Sequence, residues 1–161
     1  AEEAVEDLSD LFRANLKGSG DRTTLKAELE VAAIYQRIEK LRLGDRLNVE
    51  WDVEKLPMRA LIPSLVIQPL LENAIYHGIE LLPEGGDVTV TGKKDGDTLL
   101  ISISNPVAEG ELRSNVGNKL AMTNIQQRFA LAYDDRATVD VVATKSSFTV
   151  NLRFPYEEES A

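Results

Sequence analysis

The chain has 161 residues, with 18 basic and 27 acidic side chains giving a formal charge of −9, no Cys and one His. That length suits one packed domain with an accessory helix to spare, and the missing Cys excludes disulfides, thiol nucleophiles and Cys-ligated metals, while one His disfavours a His-rich zinc site. The acidic balance disfavours non-specific nucleic-acid binding, which needs Lys and Arg against phosphates, yet leaves room for a nucleotide in a local pocket.

Residues 2–16 space Val5, Leu8, Leu11, Phe12 and Leu16 at helical intervals, and a Gly-rich break follows at 17–21. A second helix is predicted from Thr23 or Thr24 to about Leu43, ending at Gly44 as a C-cap. Residues 47–53 then alternate as a strand, with Leu47, Val49, Trp51 and Val53 on one face. Pro57 and Pro63 bracket a connection to a long helix from about Ser64 to Gly78. A hairpin follows, with strands at 87–97 and 98–104 turning at Lys94–Asp97. Residues 105–118, rich in Asn, Gly and Ser, are expected to form a mobile loop before a helix at 120–133. Two more alternating strands, 138–144 and 147–155, close the pattern.

This order predicts an α+β fold: a two-layer α/β sandwich, a mixed sheet covered by helices, preceded by an N-terminal helical segment. The expected division is 1–22 as the tail of a dimerisation and phosphotransfer helix, 23–157 as the main domain and 158–161 as a disordered tail. No apolar run approaches the roughly 20 residues that span a bilayer. The chain begins inside a helical pattern, so a fragment of a membrane-anchored parent is expected, with membrane contact only through segments outside this sequence.

The stretch QPLLENAIYHGI at 68–79 places Glu72, Asn73 and His77 in an otherwise apolar helix. Asn73 and His77 are four apart and share a face, with Pro69 one turn below. An Asn oxygen is a competent ligand for a hard cation such as magnesium, which keeps several waters and is shared with substrate phosphates. The same residue equally serves as a bridge to buried backbone, and the stretch alone leaves both roles open.

QPLLENAIYHG resembles the N-box of the GHKL, or Bergerat-fold, ATP-binding domains in the variant of LytS-like sensor histidine kinases. LSDLFRANL, TLKAELEVAAIYQRIEKLRLGDRL, IPSLVIQPLLENAIYHGI and GNKLAMTNIQQRFALAY occur in that family's order and spacing. The likeness covers the chain from about Leu8 to Pro155, and within the family it is nearest to the alginate-regulating AlgZ type of pseudomonads. The resemblance implies a Bergerat fold binding ATP and Mg²⁺ between the N-box helix and a lid. It also implies a response regulator and a second kinase protomer as partners, and a cytoplasmic domain of a bacterial inner-membrane protein.

Carried over by residue, Asn73 would coordinate Mg²⁺ and His77 would line the wall near phosphates or ribose. The family's adenine-reading Asp falls on Ser104, followed by Asn105 and Pro106 where Asn and Gly are usual. In the lid box only Gly117 remains of three glycines. Asn118 is expected to cap the lid helix, and Lys119 either reaches a phosphate or is a solvated lysine. Asn124 supports the lid helix or approaches a phosphate, and Arg128 makes a structural ion pair or a ligand contact.

Three departures shape the expected chemistry. Tyr76 stands where relatives carry Lys, removing a phosphate cation. A Ser hydroxyl in place of Asp accepts without charge assistance, which implies weaker or less base-selective nucleotide binding. GHKL hydrolases place a Glu four residues before the metal-binding Asn, where this chain has Pro69, and Glu72 is rotated about 100° around the helix. The pocket is therefore suited to phosphoryl transfer. Its phosphoacceptor His, in an H-box upstream of LSDLFR, is absent from this sequence, so no catalytic residue is assigned and autophosphorylation is not expected. The rival reading is a pseudokinase-like module that docks a response regulator with weak or no ATP binding; a GHKL hydrolase or anti-sigma-factor kinase is the remaining alternative.

Overall fold

The computed structural model describes residues 22–108 and 115–159, with the backbone alone described over 115–121. The predicted helix spanning Val5 to Leu16 lies outside the described residues.

Strand β1 (Arg22–Thr24) leads into helix α1 (Leu25–Leu43). Thr24 caps it, its hydroxyl accepting from the Ala27 amide at 3.2 Å, and Gly44 ends it with a φ of 59° that favours glycine. Strands β2 (Leu47–Asp52) and β3 (Leu61–Pro63) precede helix α2 (Ile67–His77). Strands β4 (Gly86–Asp95) and β5 (Thr98–Pro106) form the expected hairpin, turning through Gly96 at φ 61°. Helix α3 (Asn115–Tyr133) and strands β6 (Thr138–Ala143) and β7 (Ser147–Pro155) complete the order.

The main sheet has five strands in the order β2-β4-β5-β7-β6, with β2 parallel to β4 and the other pairs antiparallel. Alternation assigns its faces. Val88 and Val90 of β4, Leu99, Ile101 and Ile103 of β5, and Val150, Leu152 and Phe154 of β7 are buried with the apolar side chains of the helices. The intervening Ser102, Ser104, Thr149 and Asn151 sit on the opposite, half-buried face. Phe129 and Tyr133 hold α3 to the helix-covered face, each with its ring centroid 5.4–5.8 Å from that of Phe154. This is the expected mixed sheet with helices on one face.

Differences from the sequence reading have local causes. β1 pairs antiparallel with β3 in a separate two-stranded sheet, and strands of three residues carry no readable period. β5 runs on to Pro106 and a helix begins at Asn115, so both ends of the expected loop over 105–118 are regular structure. Its residues 109–114 lie outside the described set. Asn118 consequently falls inside α3 rather than at its cap. Glu158, expected in a disordered tail, makes an antiparallel bridge to Ala60.

Helix α2 starts at Ile67, three residues later than expected, because Leu65 takes a left-handed φ of 58°. That bend followed by the right-handed Val66 turns three successive amides inward, a nest suited to an anion. The anion is the buried carboxylate of Glu28 from α1. Its Oε1 accepts from Leu65 N at 2.8 Å, and its Oε2 accepts from Val66 N at 3.1 Å and Ile67 N at 3.0 Å. Pro69 follows in the first turn, where its missing amide has no intrahelical partner to lose. Glu28→Ala should destabilise the fold by about 3 kcal/mol, since buried donors lose a charged acceptor. Glu28→Gln, which keeps one acceptor, should lose roughly half as much; chemical denaturation followed by circular dichroism measures both.

Candidate functional site

Helix α2 buries Ile67, Leu70, Leu71, Ala74 and Ile75 and leaves a narrow polar stripe. Asn73 is only 7% exposed, yet among the described residues its amide has no hydrogen-bond partner. An amide held this way fits a ligand role, its oxygen free for a hard cation. Among the described residues no group of three or more His, Asp or Glu is placed to hold a metal. Any cation at Asn73 would take its other ligands from water and phosphate.

His77, one turn on, is half-buried, with Tyr76 edge-on at 5.0 Å between ring centroids. Burial lowers its pKa from 6.5, opposed by the charge of Glu80, so the ring is neutral at pH 7. Glu72 is exposed, on a different face from Asn73, and its pKa is raised by partial burial and by the charge of Glu39 on α1. Tyr76 is 60% exposed where a phosphate-binding Lys was expected from the resemblance.

The far end of α2 is also clamped. Arg46 Nη2 donates to the carbonyls of Ile79 at 3.3 Å, Glu80 at 3.0 Å and Leu82 at 2.9 Å, fixing the turn after the helix. Arg42 pairs with Glu39 and Glu80, tying the end of α1 to the same turn. Sequence reasoning missed Glu28 and Arg46 because both bind backbone groups over 30 residues away. A buried-pattern acidic residue in α1 was the only available sign.

Gly78 lies directly under the Asn105 side chain: a Cβ there would collide with Asn105 Nδ2 and approach the Ala74 carbonyl oxygen to 2.5 Å. Asn105 is 4% exposed on the helix-covered face of β5, in line with Leu99, Ile101 and Ile103. Its Nδ2 donates to the Pro106 carbonyl at 2.9 Å. The Pro106 ring is wedged over Gly86, where a Cβ would come within 2.7 Å of its Cγ.

Ser104 points to the other face of the sheet. There its hydroxyl shares a 2.8 Å hydrogen bond with that of Thr149. The structure thus sets Asn105 against Gly78, just past the helix that carries Asn73 and His77, and turns Ser104 to the opposite face of β5. The signal was present in the sequence, since counting by two from Ile101 and Ile103 lands on Asn105.

Gly117, Asn118 and Lys119 fall in the first turns of α3, and their side chains lie outside the described residues. Asn124 is exposed on that helix, and Arg128 Nη1 donates to the Ser64 carbonyl at 2.9 Å. Arg128 is thus a structural residue bonded to backbone beside the Glu28 nest.

Comparison with known proteins agrees with this architecture. A family model described as histidine kinase matches residues 1–47. Over 161 aligned residues the chain is 30% identical to the sensor histidine kinase BtsS of Escherichia coli, covering 99% of this chain and 28% of that protein. It is 29% identical to the sensor protein LytS of Staphylococcus saprophyticus over 99% of this chain and 29% of that one. Both of these relatives are sensor proteins, and BtsS is a sensor histidine kinase. The catalytic domain of histidine kinase ThkA superimposes with a TM-score of 0.60 at 11% identity, covering 86% of this chain and 98% of that domain. ThkA solved with response regulator protein TrrA gives 0.58 at 12% identity over 95% of this chain and 48% of that one. The fold is that of the histidine kinase catalytic domain, and the chain spans less than a third of the length of its curated relatives.

Gly78→Ala should displace Asn105 and cost about 2 kcal/mol, as overpacking against backbone does; thermal unfolding measures it. The depressed His77 pKa means the unfolded chain binds this proton more tightly. Its contribution is therefore present above pH 6.5 and lost as pH falls from 6.5 towards the folded value. An NMR titration of the single imidazole should give a midpoint below 6.5, and His77→Gln should lessen the acid-side fall in melting temperature.

Proposed function

We propose that this chain is the ATP-binding catalytic domain of a two-component sensor histidine kinase. It would transfer the γ-phosphoryl of Mg-ATP to a His in a segment outside this sequence, for relay to a response regulator. The observation that carries the reading is Asn73, a nearly buried amide with no hydrogen-bond partner among the described residues, on the helix whose two ends are clamped. The likeness to BtsS, LytS and ThkA supports the kinase class, and ThkA's complex with TrrA supports a receiver-domain partner.

In this reading Asn73 Oδ1 holds Mg²⁺, which when bound neutralises charge on the phosphates. Neutral His77 lines the same wall as a hydrogen-bonding group rather than a cation. Gly117, Asn118, Lys119 and Asn124 approach the phosphates from the start of α3. Pro69 leaves no carboxylate one turn before Asn73, so water receives no base from that position and transfer to a presented nucleophile is favoured. A second protomer supplies the dimer of the parent, the domain is cytoplasmic, and membrane attachment lies outside this sequence. Among the described residues no helix is long and apolar enough to cross a membrane. The finer likeness, to alginate-regulating sensors, rests on the sequence resemblance.

Calorimetry with a non-hydrolysable ATP analogue should show binding that strengthens with Mg²⁺. Asn73→Ala should abolish that Mg²⁺ dependence and weaken binding at least about tenfold, or ~1.4 kcal/mol. Absence of binding at millimolar nucleotide would support the rival docking module instead.

A further inference from the structure

We infer that β6 is a docking edge for a second copy of this chain, whose own β6 pairs with it antiparallel and merges two five-stranded sheets into one. The edge stands apart from the proposed nucleotide wall, since β6 is an outermost strand and α2 packs chiefly on β4 and β5. Sheet edges are ordinarily protected by charges, proline or a bulge. In β6 the register with β7 runs unbroken from Thr138 to Ala143, and Asp140 is its single charge. Val141 is 41% and Val142 50% exposed, one on each face of the sheet. The other edge strand, β2, carries both Glu50 and Asp52. Above β6, Arg128 turns one flank of α3 towards Ser64, which leaves the exposed, uncharged Gln126 and Ala130 on the β6 side.

The ladder fixes which backbone groups this edge offers. In an antiparallel pair, residues that bond the neighbour alternate with residues whose amide and carbonyl face away. Thr144 N donates to Ser147 O at 2.9 Å, in line with the β6–β7 register, so Thr138, Asp140 and Val142 bond inward to β7. The β5 side gives the same phase. There Val107 N donates to Ser146 O at 3.0 Å and Tyr156 N to Asp97 O at 2.7 Å, so even-numbered β7 residues serve β5 and odd-numbered ones serve β6. Val139, Val141 and Ala143 therefore turn their amides and carbonyls outward, with no strand beyond them among the described residues.

A second β6 is the occupant because the strand complements itself. Two two-fold registers overlap nearly all of it, one centred on Asp140 and one on Val141. The first sets the two Asp140 carboxylates opposite each other, and like charges so placed repel. The second bonds Val141 to Val141 and Val139 to Ala143, and sets each Asp140 against Val142 of the other copy. It also carries the exposed Lys145 towards Asp134 and Asp135 of the other copy, so the strand ends attract. A two-fold axis normal to the sheet keeps both helix layers on one side, where the uncharged α3 flanks face each other.

Sedimentation equilibrium of the full chain should show a shift from monomer towards dimer as concentration rises to about 1 mM, as a small interface requires. Val142→Asp opposes two pairs of carboxylates and should weaken the dimer about tenfold or more. Adding Asp140→Lys to that variant should restore pairing, and Val142→Lys alone should tighten it. Val141→Pro removes an outward amide, so it should abolish the dimer while circular dichroism and melting temperature stay near those of the unaltered chain. A monomer at every concentration would overturn the inference. So would a dimer that Val142→Asp leaves unchanged, which would place the contact elsewhere, or equal weakening by Val142→Asp and Val142→Lys.

Discussion

Glu28 accepting three successive amides is the contact on which the arrangement of helices depends. A buried carboxylate is costly unless its oxygens are matched, and here the match is supplied by the bend at Leu65. The exchange works in both directions. The left-handed Leu65 is strained for a bulky residue, and the charged acceptor offsets that strain by satisfying donors that the helix start leaves orphaned. α1 and the helix bearing Asn73 are thereby fixed to one another by a directional bond rather than by apolar contact alone. Arg128 brings α3 to the same turn through the Ser64 carbonyl, so three helices meet at residues 64–67.

The opposite end of α2 is held by complementary chemistry. Arg46 gathers three carbonyls after the helix, as Glu28 gathers three amides before it. Between these clamps, Asn73 is presented on an element with little freedom to rotate or slide. In the proposed reading, a cation held by this one protein atom would take its position from the helix rather than from a shell of carboxylates. The glycines at 78 and 86 complete the setting by letting Asn105 and Pro106 approach backbone that a side chain would block.

Much of this was legible in the sequence. The period change after Gly44, the alternation in β4, β5 and β7, and the Gly96 turn gave the mixed sheet and the succession of elements along the chain, though not the order of strands within the sheet. The spacing of Asn73 and His77 in QPLLENAIYHGI gave their shared face on α2. What escaped depended on long-range geometry. β1 and β3 are too short to show a period and are defined only by pairing. Glu28 and Arg46 act on backbone, which leaves no pattern in residue types. The start of α2 was displaced because a Leu in a left-handed bend breaks the local preference, and tertiary bonding overrides it. At the end of β5, family spacing pointed to Ser104, while strand alternation puts Asn105 on the helix-covered face and Ser104 on the other, and the register follows alternation.

The pairing of Asn105 with Gly78, and of Pro106 with Gly86, has an evolutionary side. Each member is tolerable only because its partner is what it is, so neither position can drift alone. A larger residue at 78 requires something smaller at 105, and a side chain at 86 requires the ring at 106 to go. Such interlocks make a departure from the family's usual residues hard to reverse by single steps.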